Sequence, residues 1–230
     1  MSGCLDLGMV IAAGGSGSRF SKTVNKLLVD FRGKPLLVHS LETFLPLVAP
    51  GNLVVAAPAE LLDVMRSTAG EYLPGNSIRW TVGGATRVAS VVNAVRLIDP
   101  AVQLVAIHDA ARPLAGRELL NELAAAALEY GGAIPGIPPV DTVKVIDSNG
   151  VITQNLVRKN LALVATPQVF VLQQYLAALA VLPPEILDGR CEDAVLTDDA
   201  AVFMQNGGRV KVVFSAQNNL KITLPSDIKN

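Results

Sequence analysis

Charge is what this chain is short of. Only 17% of its 230 residues are charged, and 19 basic residues against 20 acidic ones leave a formal net charge of −1. A near-neutral chain has no global field to hold nucleic acid or an anionic membrane, so any cation that matters must act at a concentrated local site. Histidine is scarcer still: His39 and His108 are the only two, which excludes a histidine-rich metal centre. Cys4 and Cys191 are far apart and stand in no CxxC spacing. A disulfide framework is therefore not expected, and reduced thiols in a cytoplasmic protein are the default. The start of the chain has no basic segment followed by an apolar core, so no signal peptide is expected. The longest apolar region, Leu41 to Leu62, is broken by Pro46, Pro50 and Pro58 and cannot span a membrane. Half of the residues are hydrophobic; with so few charges to cover the surface, a subunit interface is expected.

What is present is an alternation of apolar strand-like runs with helical patterns, the mark of an α/β fold with a mainly parallel sheet covered on both faces. Strands are expected at Leu5 to Ala13, Leu53 to Ala57, Ile78 to Val82, Val102 to Ile107, Ala133 to Ile137, Val210 to Phe214 and Asn218 to Thr223. Helices are expected behind Pro35, over Ala59 to Glu71, behind Gly83-Gly84, around Leu119 to Leu128, over Leu172 to Leu182 and over Asp198 to Asn206, the last with Thr197 as N-cap. Glu185 to Glu192 reads as a loop. Two β-rich runs flank Asn149-Gly150, a hairpin signal. The hairpin interrupts the α/β rhythm, so it is expected to pack outside the sheet, on a partner subunit first of all. With no internal repeat or linker, residues 1–230 read as one domain, with 139–160 as a projecting dimerisation arm.

Three stretches carry chemistry. The run Met9 to Ala12 ends in Ala13-Gly14-Gly15-Ser16-Gly17-Ser18-Arg19, with Lys26 just beyond. A strand feeding a glycine-rich turn lets backbone N–H groups approach a phosphate, and Arg19 and Lys26 supply positive charge there. It is neither a dinucleotide fingerprint nor a P-loop. The alternative is a plain turn with two surface cations. In the helix after Gly83-Gly84, Ser90 lies off the apolar stripe of Val88, Val91, Val92 and Val95; it faces either a ligand or solvent. The fourth strand runs into His108-Asp109-Ala110-Ala111-Arg112-Pro113, at the strand end where ligands of open α/β sheets sit. There Asp109 and Arg112 either do chemistry or pair with one another to shape the turn, and His108 reads as a packed or capping histidine.

Taken in order, these segments resemble the 2-C-methyl-D-erythritol 4-phosphate cytidylyltransferase family. The match runs from about Met9 to Asp227. It adds Gly83-Gly84-Ala85-Thr86-Arg87, Asp141-Thr142-Val143-Lys144, Arg158, Thr166-Pro167-Gln168, Leu196-Thr197-Asp198-Asp199-Ala200 and Asn219-Leu220-Lys221 to the stretches above. The resemblance implies a Rossmann-like nucleotidyltransferase fold. It also implies in-line attack of a polyol phosphate on the α-phosphorus of CTP with release of pyrophosphate. By resemblance, Arg19 and Lys26 stabilise the transition state, while Arg158 and Lys221 position the attacking phosphate. Asp109, Arg112, Thr142, Thr166 and Thr197 hold the acceptor. Ala13, Gly14, Gly15, Gly17, Gly84, Ala85, Ser90 and Ala110 hold the nucleotide. Mg²⁺ is implied, carried chiefly by the triphosphate, with Asp109 the only acidic candidate beside it.

The same resemblance implies a homodimer in which the arm lends Thr142 and Arg158 to the partner's site. It implies a cytoplasmic enzyme, or a stromal one in a plastid-bearing organism. Where the family commonly has proline and alanine, Ala12 and Gly14 stand here, and nothing carries over to Leu182 to Glu192. The rival acceptor is another polyol phosphate, such as ribitol 5-phosphate; Ala110-Ala111 favours methylerythritol phosphate. A non-catalytic nucleotide-binding module is the rival from another class, and the complete cationic set speaks against it.

Overall fold

Strand β1, Leu7–Ala12, is buried at its first five positions and nearly so at the sixth, as the centre of a sheet covered on both faces requires. A computed structural model describes residues 5–14, 20, 25–215 and 219–229. In chain order β1 is followed by the short ribbon of β2 (Asp30–Phe31) and β3 (Lys34–Pro35), α1 (Leu36–Phe44), β4 (Leu53–Ala57), α2 (Leu62–Tyr72), β5 (Arg79–Val82), α3 (Arg87–Val95) and β6 (Leu104–Asp109). Then come α4 (Arg117–Tyr130), β7 (Gly131–Ile137), β8 (Lys144–Ile146), β9 (Ile152–Asn155), β10 (Leu163–Val164) and β11 (Gln168–Val171). The chain closes with α5 (Leu172–Ala180), α6 (Pro184–Leu187), α7 (Asp199–Gln205) and β12 (Arg209–Phe214).

The main sheet runs β10-β7-β11-β6-β1-β4-β5, with β12 also on β7. β1, β4, β5 and β6 are mutually parallel, as are β7 and β12. β10 and β11 are antiparallel to β7, and β11 also to β6. Side chains alternate along β1: Met9 and Ile11 enter one core with α1, α2 and α4, and Val10 enters the other with α3, α5 and α7. The chain moves outward from β1 through β4 to β5, then returns to β6 on the opposite side of β1. This reversal makes a crevice at the carboxyl ends of β1 and β6, where Ala12 and Asp109 sit in register.

Several expectations are corrected. Helix α2 begins at Leu62 rather than Ala59. Pro184–Leu187 is a single helical turn that runs into the expected loop. The final stretch is no strand: among its described residues, backbone groups bond to isolated partners, Ile222 N–H to the Ala111 carbonyl and the Asn219 carbonyl to Arg112. Asp198, not Thr197, caps α7, because its carboxylate receives the Ala201 N–H at 2.9 Å while Thr197 is exposed. The hairpin of β8 and β9 forms as expected and every residue of both strands is exposed. Its turn is wider than an Asn-Gly pair alone. Asp147 accepts the Asn149 and Val151 N–H groups, and Gly150 supplies φ +81°.

Candidate active site

The carboxyl ends of the parallel strands are stitched together by backbone. Ala13 N–H reaches the Ala56 carbonyl, Gly83 N–H the Ala57 carbonyl, and Ala110 N–H the Ala12 carbonyl. Two of the three chemical stretches, and the start of the glycine-rich one, therefore lie side by side. The nucleotide-side turn is shaped from α3. Ser90 is buried; its hydroxyl donates to the Thr86 carbonyl at 2.8 Å and accepts the Gly84 N–H at 3.0 Å. It is thus neither solvated nor free, and acts by fixing the turn. Gly84 has to be glycine, since a Cβ would lie 2.4 Å from the Ala89 Cβ and 3.0 Å from its backbone carbon. Gly14 faces Ser90 with room for a Cβ at 3.5 Å from the hydroxyl. Ala85 is exposed, whereas Ala110 is wholly buried, backbone included, and its N–H is taken by the Ala12 carbonyl.

Across the crevice, Asp109 gathers cations. Lys221 Nζ donates to its Oδ2 at 2.8 Å, Arg112 Nε lies 3.7 Å from the same oxygen, and Arg87 Nε lies 3.6 Å from Oδ1. Burial works to raise the Asp109 pKa, but Arg87 and Lys221 outweigh it and bring it down from 3.8 to about 2. Burial lowers the Arg112 pKa, and Asp109 opposes the shift. Lys26, at the start of a 3-10 turn, donates from Nζ to the Ile222 carbonyl at 3.0 Å, next to Lys221. Lys26, Arg112 and Lys221 therefore meet on one short segment.

Beneath them His108 is fully buried, and burial lowers its pKa from 6.5 to about 4. Thr166 Oγ1 accepts the Asp109 N–H at 3.0 Å and lies 3.2 Å from His108 Nδ1. The Thr166 hydroxyl proton then goes to Nδ1, leaving the Nε2 hydrogen for the Arg112 carbonyl at 3.1 Å. This is the packed histidine expected from the sequence. Thr166 is likewise buried and braces the Asp109 backbone. A cavity of about 450 Å³ opens beside the cluster, lined by the polar Arg112, Asn219 and Lys221 and by the apolar Leu119, Ile137 and Leu163 among others. Neither Thr166 nor Thr197 lines it.

Arg19, Gly15 and Gly17 lie outside the described residues. Thr142 and Arg158 are exposed, and Arg158 donates to the Val140 carbonyl at 2.7 Å, at the root of the hairpin rather than in the cluster. The residue that sequence reasoning gave no role is Arg87. A cation in the first turn of a helix opposes the helix dipole, and that misfit was the available signal.

Asp109 does not fit as a ligand of a protein-held metal. Its oxygens face three cations, and among the described residues no group of three or more His, Cys, Asp or Glu is placed to hold an ion. Among the described residues no helix is long and apolar enough to cross a membrane.

A family profile described as 2-C-methyl-D-erythritol 4-phosphate cytidylyltransferase matches residues 7–230. The protein of that name from Frankia casuarinae is 36% identical over 220 residues, covering 95% of this chain and 77% of that one. Its namesake from Solibacter usitatus is 30% identical over 235 residues, covering 98% and 93%. Among solved structures, the 4-diphosphocytidyl-2C-methyl-D-erythritol synthase of Anaerococcus prevotii superposes with a TM-score of 0.79 at 27% identity, covering 97% of this chain and 94% of that one. The Francisella tularensis 2-C-methyl-D-erythritol 4-phosphate cytidylyltransferase does so at 0.77 and 26%, covering 97% and 96%.

Proposed function

The chain belongs to the 2-C-methyl-D-erythritol 4-phosphate cytidylyltransferase family, and from that membership we propose how its crevice performs the reaction. It transfers the cytidylyl group of CTP to 2-C-methyl-D-erythritol 4-phosphate in non-mevalonate isoprenoid biosynthesis. A phosphate oxygen of the acceptor attacks the α-phosphorus of CTP. The new P–O bond forms as the bond to the β-phosphate oxygen breaks, and pyrophosphate leaves with that electron pair. Neither partner needs a covalent enzyme intermediate, so catalysis rests on positioning and on charge stabilisation. Two polyanions must approach, and without cations they would repel each other. The observation that carries this reading is the convergence of Lys26, Arg112 and Lys221 on the Asp109–Ile222 edge of the crevice.

In this reading Lys26, together with Arg19, stabilises charge at the α-phosphorus. Lys221 positions the acceptor phosphate, and Arg112 and Asp109 hold the polyol. Gly14 and the Gly84-Ala85 turn receive cytidine, with Ser90 holding that turn in shape and the buried Ala13 and Ala110 backing the site. Mg²⁺ enters as a counter-ion of the triphosphate oxygens, where its reluctance to shed water places it, and no step here is routed through it.

The chain acts as one domain that dimerises through the 139–160 arm, which carries Thr142 and Arg158 to the partner's crevice. Support comes from the arm's exposed apolar residues, among them Val140, Ile146, Val151, Ile152 and Val157, which a lone subunit leaves uncovered. A cytoplasmic setting suits such an enzyme.

Pyrophosphate release from CTP and Mg²⁺ is measured with each candidate polyol phosphate. Release with methylerythritol phosphate well above ribitol 5-phosphate is expected. Release with ribitol phosphate alone would replace the acceptor, and none with any acceptor would leave a binding module.

A further inference from the structure

Arg87 stands between two carboxylates that no other described residue bridges. Its Nε lies 3.6 Å from Asp109 Oδ1, and its Nη2 lies 2.7 Å from Asp199 Oδ2. Asp199, the first residue of α7, is 1% exposed, and its other oxygen accepts the Tyr175 hydroxyl at 2.8 Å. Tyr175 is itself buried on α5, stacked on Phe170. The contact to Asp199 is the closer of the two, so the guanidinium is seated on Asp199 and reaches from there to Asp109. Asp199 is thus a rigid buried anchor, and Arg87 is a strut from it to the crevice.

The far end of the strut is where the reaction is arranged. Asp109 offers Oδ1 to Arg87 and Oδ2 to Lys221 and Arg112. Cations on opposite oxygens fix the carboxylate's rotation. They also limit how strongly it holds Lys221, whose side chain is 43% exposed and so still open to a ligand. We propose that Arg87, anchored by Asp199 and Tyr175, is a positioning residue of the transfer reaction: it holds Asp109 so that Lys221 and Arg112 are presented to the acceptor phosphate. Without Arg87, Asp109 turns wholly to Lys221 and Arg112 and pulls both away from the acceptor.

The inference rests on the reaction proposed above, and the test separates the two. CTP and methylerythritol phosphate are varied independently for the wild type, Arg87→Gln, Arg87→Lys and Asp199→Asn, with thermal midpoints recorded. Arg87→Gln is expected to lower kcat/KM for the acceptor by about 100-fold, the scale of a misplaced reacting group, while KM for CTP stays within about threefold. Arg87→Lys, too short to span both acids, moves the same parameter in the same direction, and Asp199→Asn does so less. If Arg87→Gln does not fold, the other two decide. A lowered midpoint with acceptor kinetics unchanged overturns the proposal, because it leaves Arg87 a merely structural tie between α3 and α7. So does a rise in KM for CTP equal to the acceptor loss, which would place the damage in the Gly83-Gly84 turn. A wild type that releases no pyrophosphate with methylerythritol phosphate instead sinks the reading of the reaction.

Discussion

His108 is held neutral by its surroundings, and this has a consequence for acid stability. Its Nδ1 takes the Thr166 hydroxyl and its Nε2 serves the Arg112 carbonyl, inside a core where Phe44 meets the ring edge-on. Burial lowers its pKa from 6.5 to about 4. The unfolded chain therefore takes up the proton first, and stability falls as pH drops between those values. From pH 7 to pH 5 the loss through this group is about 2 kcal/mol. Asp109, brought from 3.8 to about 2, adds a further loss only below its ordinary range. Urea unfolding at pH 7 and pH 5 checks this: His108→Asn should remove most of the difference even though it is less stable at pH 7. An unchanged difference would assign the acid limb to other groups. At this scale the sequence was legible where one residue type has one use. Lys26 and Lys221, expected at one site, lie on the same edge. The bracing bonds of Ser90 and Thr166 were not legible, because a hydroxyl serves a ligand, solvent or a backbone brace equally well and only the three-dimensional neighbours show such a bond. Arg87 was missed because both of its partners are distant in sequence.

Among the elements, α7 gives the sharpest contrast. Asp198 caps it through Ala201 N–H and also accepts Gln168 Nε2 at 2.8 Å, while Gln168 Oε1 receives the Ala200 N–H. The Thr166-Pro167-Gln168 and Thr197-Asp198-Asp199 segments are thus locked together, β11 against the start of α7. Asp198→Ala should destabilise by about 1–2 kcal/mol, since it removes a cap and leaves a buried Gln168 amide without one partner. Thr197→Ala should stay within about 0.5 kcal/mol, as an exposed change does. Denaturant unfolding of the two variants at neutral pH separates them, and equal losses would restore Thr197 as the cap. Elements buried along a stripe or throughout were legible. The stripe Val88, Val91, Val92 and Val95 predicted α3 through its helical period, and the unbroken apolar runs predicted β1, β4 and β7, which are buried on both faces. The expected strand at 218–223 failed for a different reason. Leu220 and Ile222 alternate with polar residues as in a half-buried strand, but the chain there lies over the Arg112 side chain and the Ala111 carbonyl rather than beside another strand. Composition cannot tell a sheet edge from a strap.

On the scale of the whole molecule, a single subunit does not account for the hairpin. Its strands are exposed throughout, and a two-stranded ribbon is marginally stable alone. Arg158 is tied to Val140 at its root, while Lys26 sits with Lys221 in the crevice. If each crevice of a symmetric dimer uses Lys26 from one chain and Arg158 from the other, the two defects are separable. Lys26→Ala and Arg158→Ala homodimers should each be nearly inactive. In an equal mixture allowed to exchange subunits, half of the dimers are mixed, and each mixed dimer has one crevice with both residues intact. Activity should therefore recover to about a quarter of the wild type, as the two-fold arrangement dictates. Mass measurement of differently tagged subunits establishes that exchange has occurred. With heterodimers present, recovery near a quarter identifies a shared crevice. Absence of recovery places Arg158 and Lys26 in the service of the same chain, and leaves the exposed arm with a purely adhesive role.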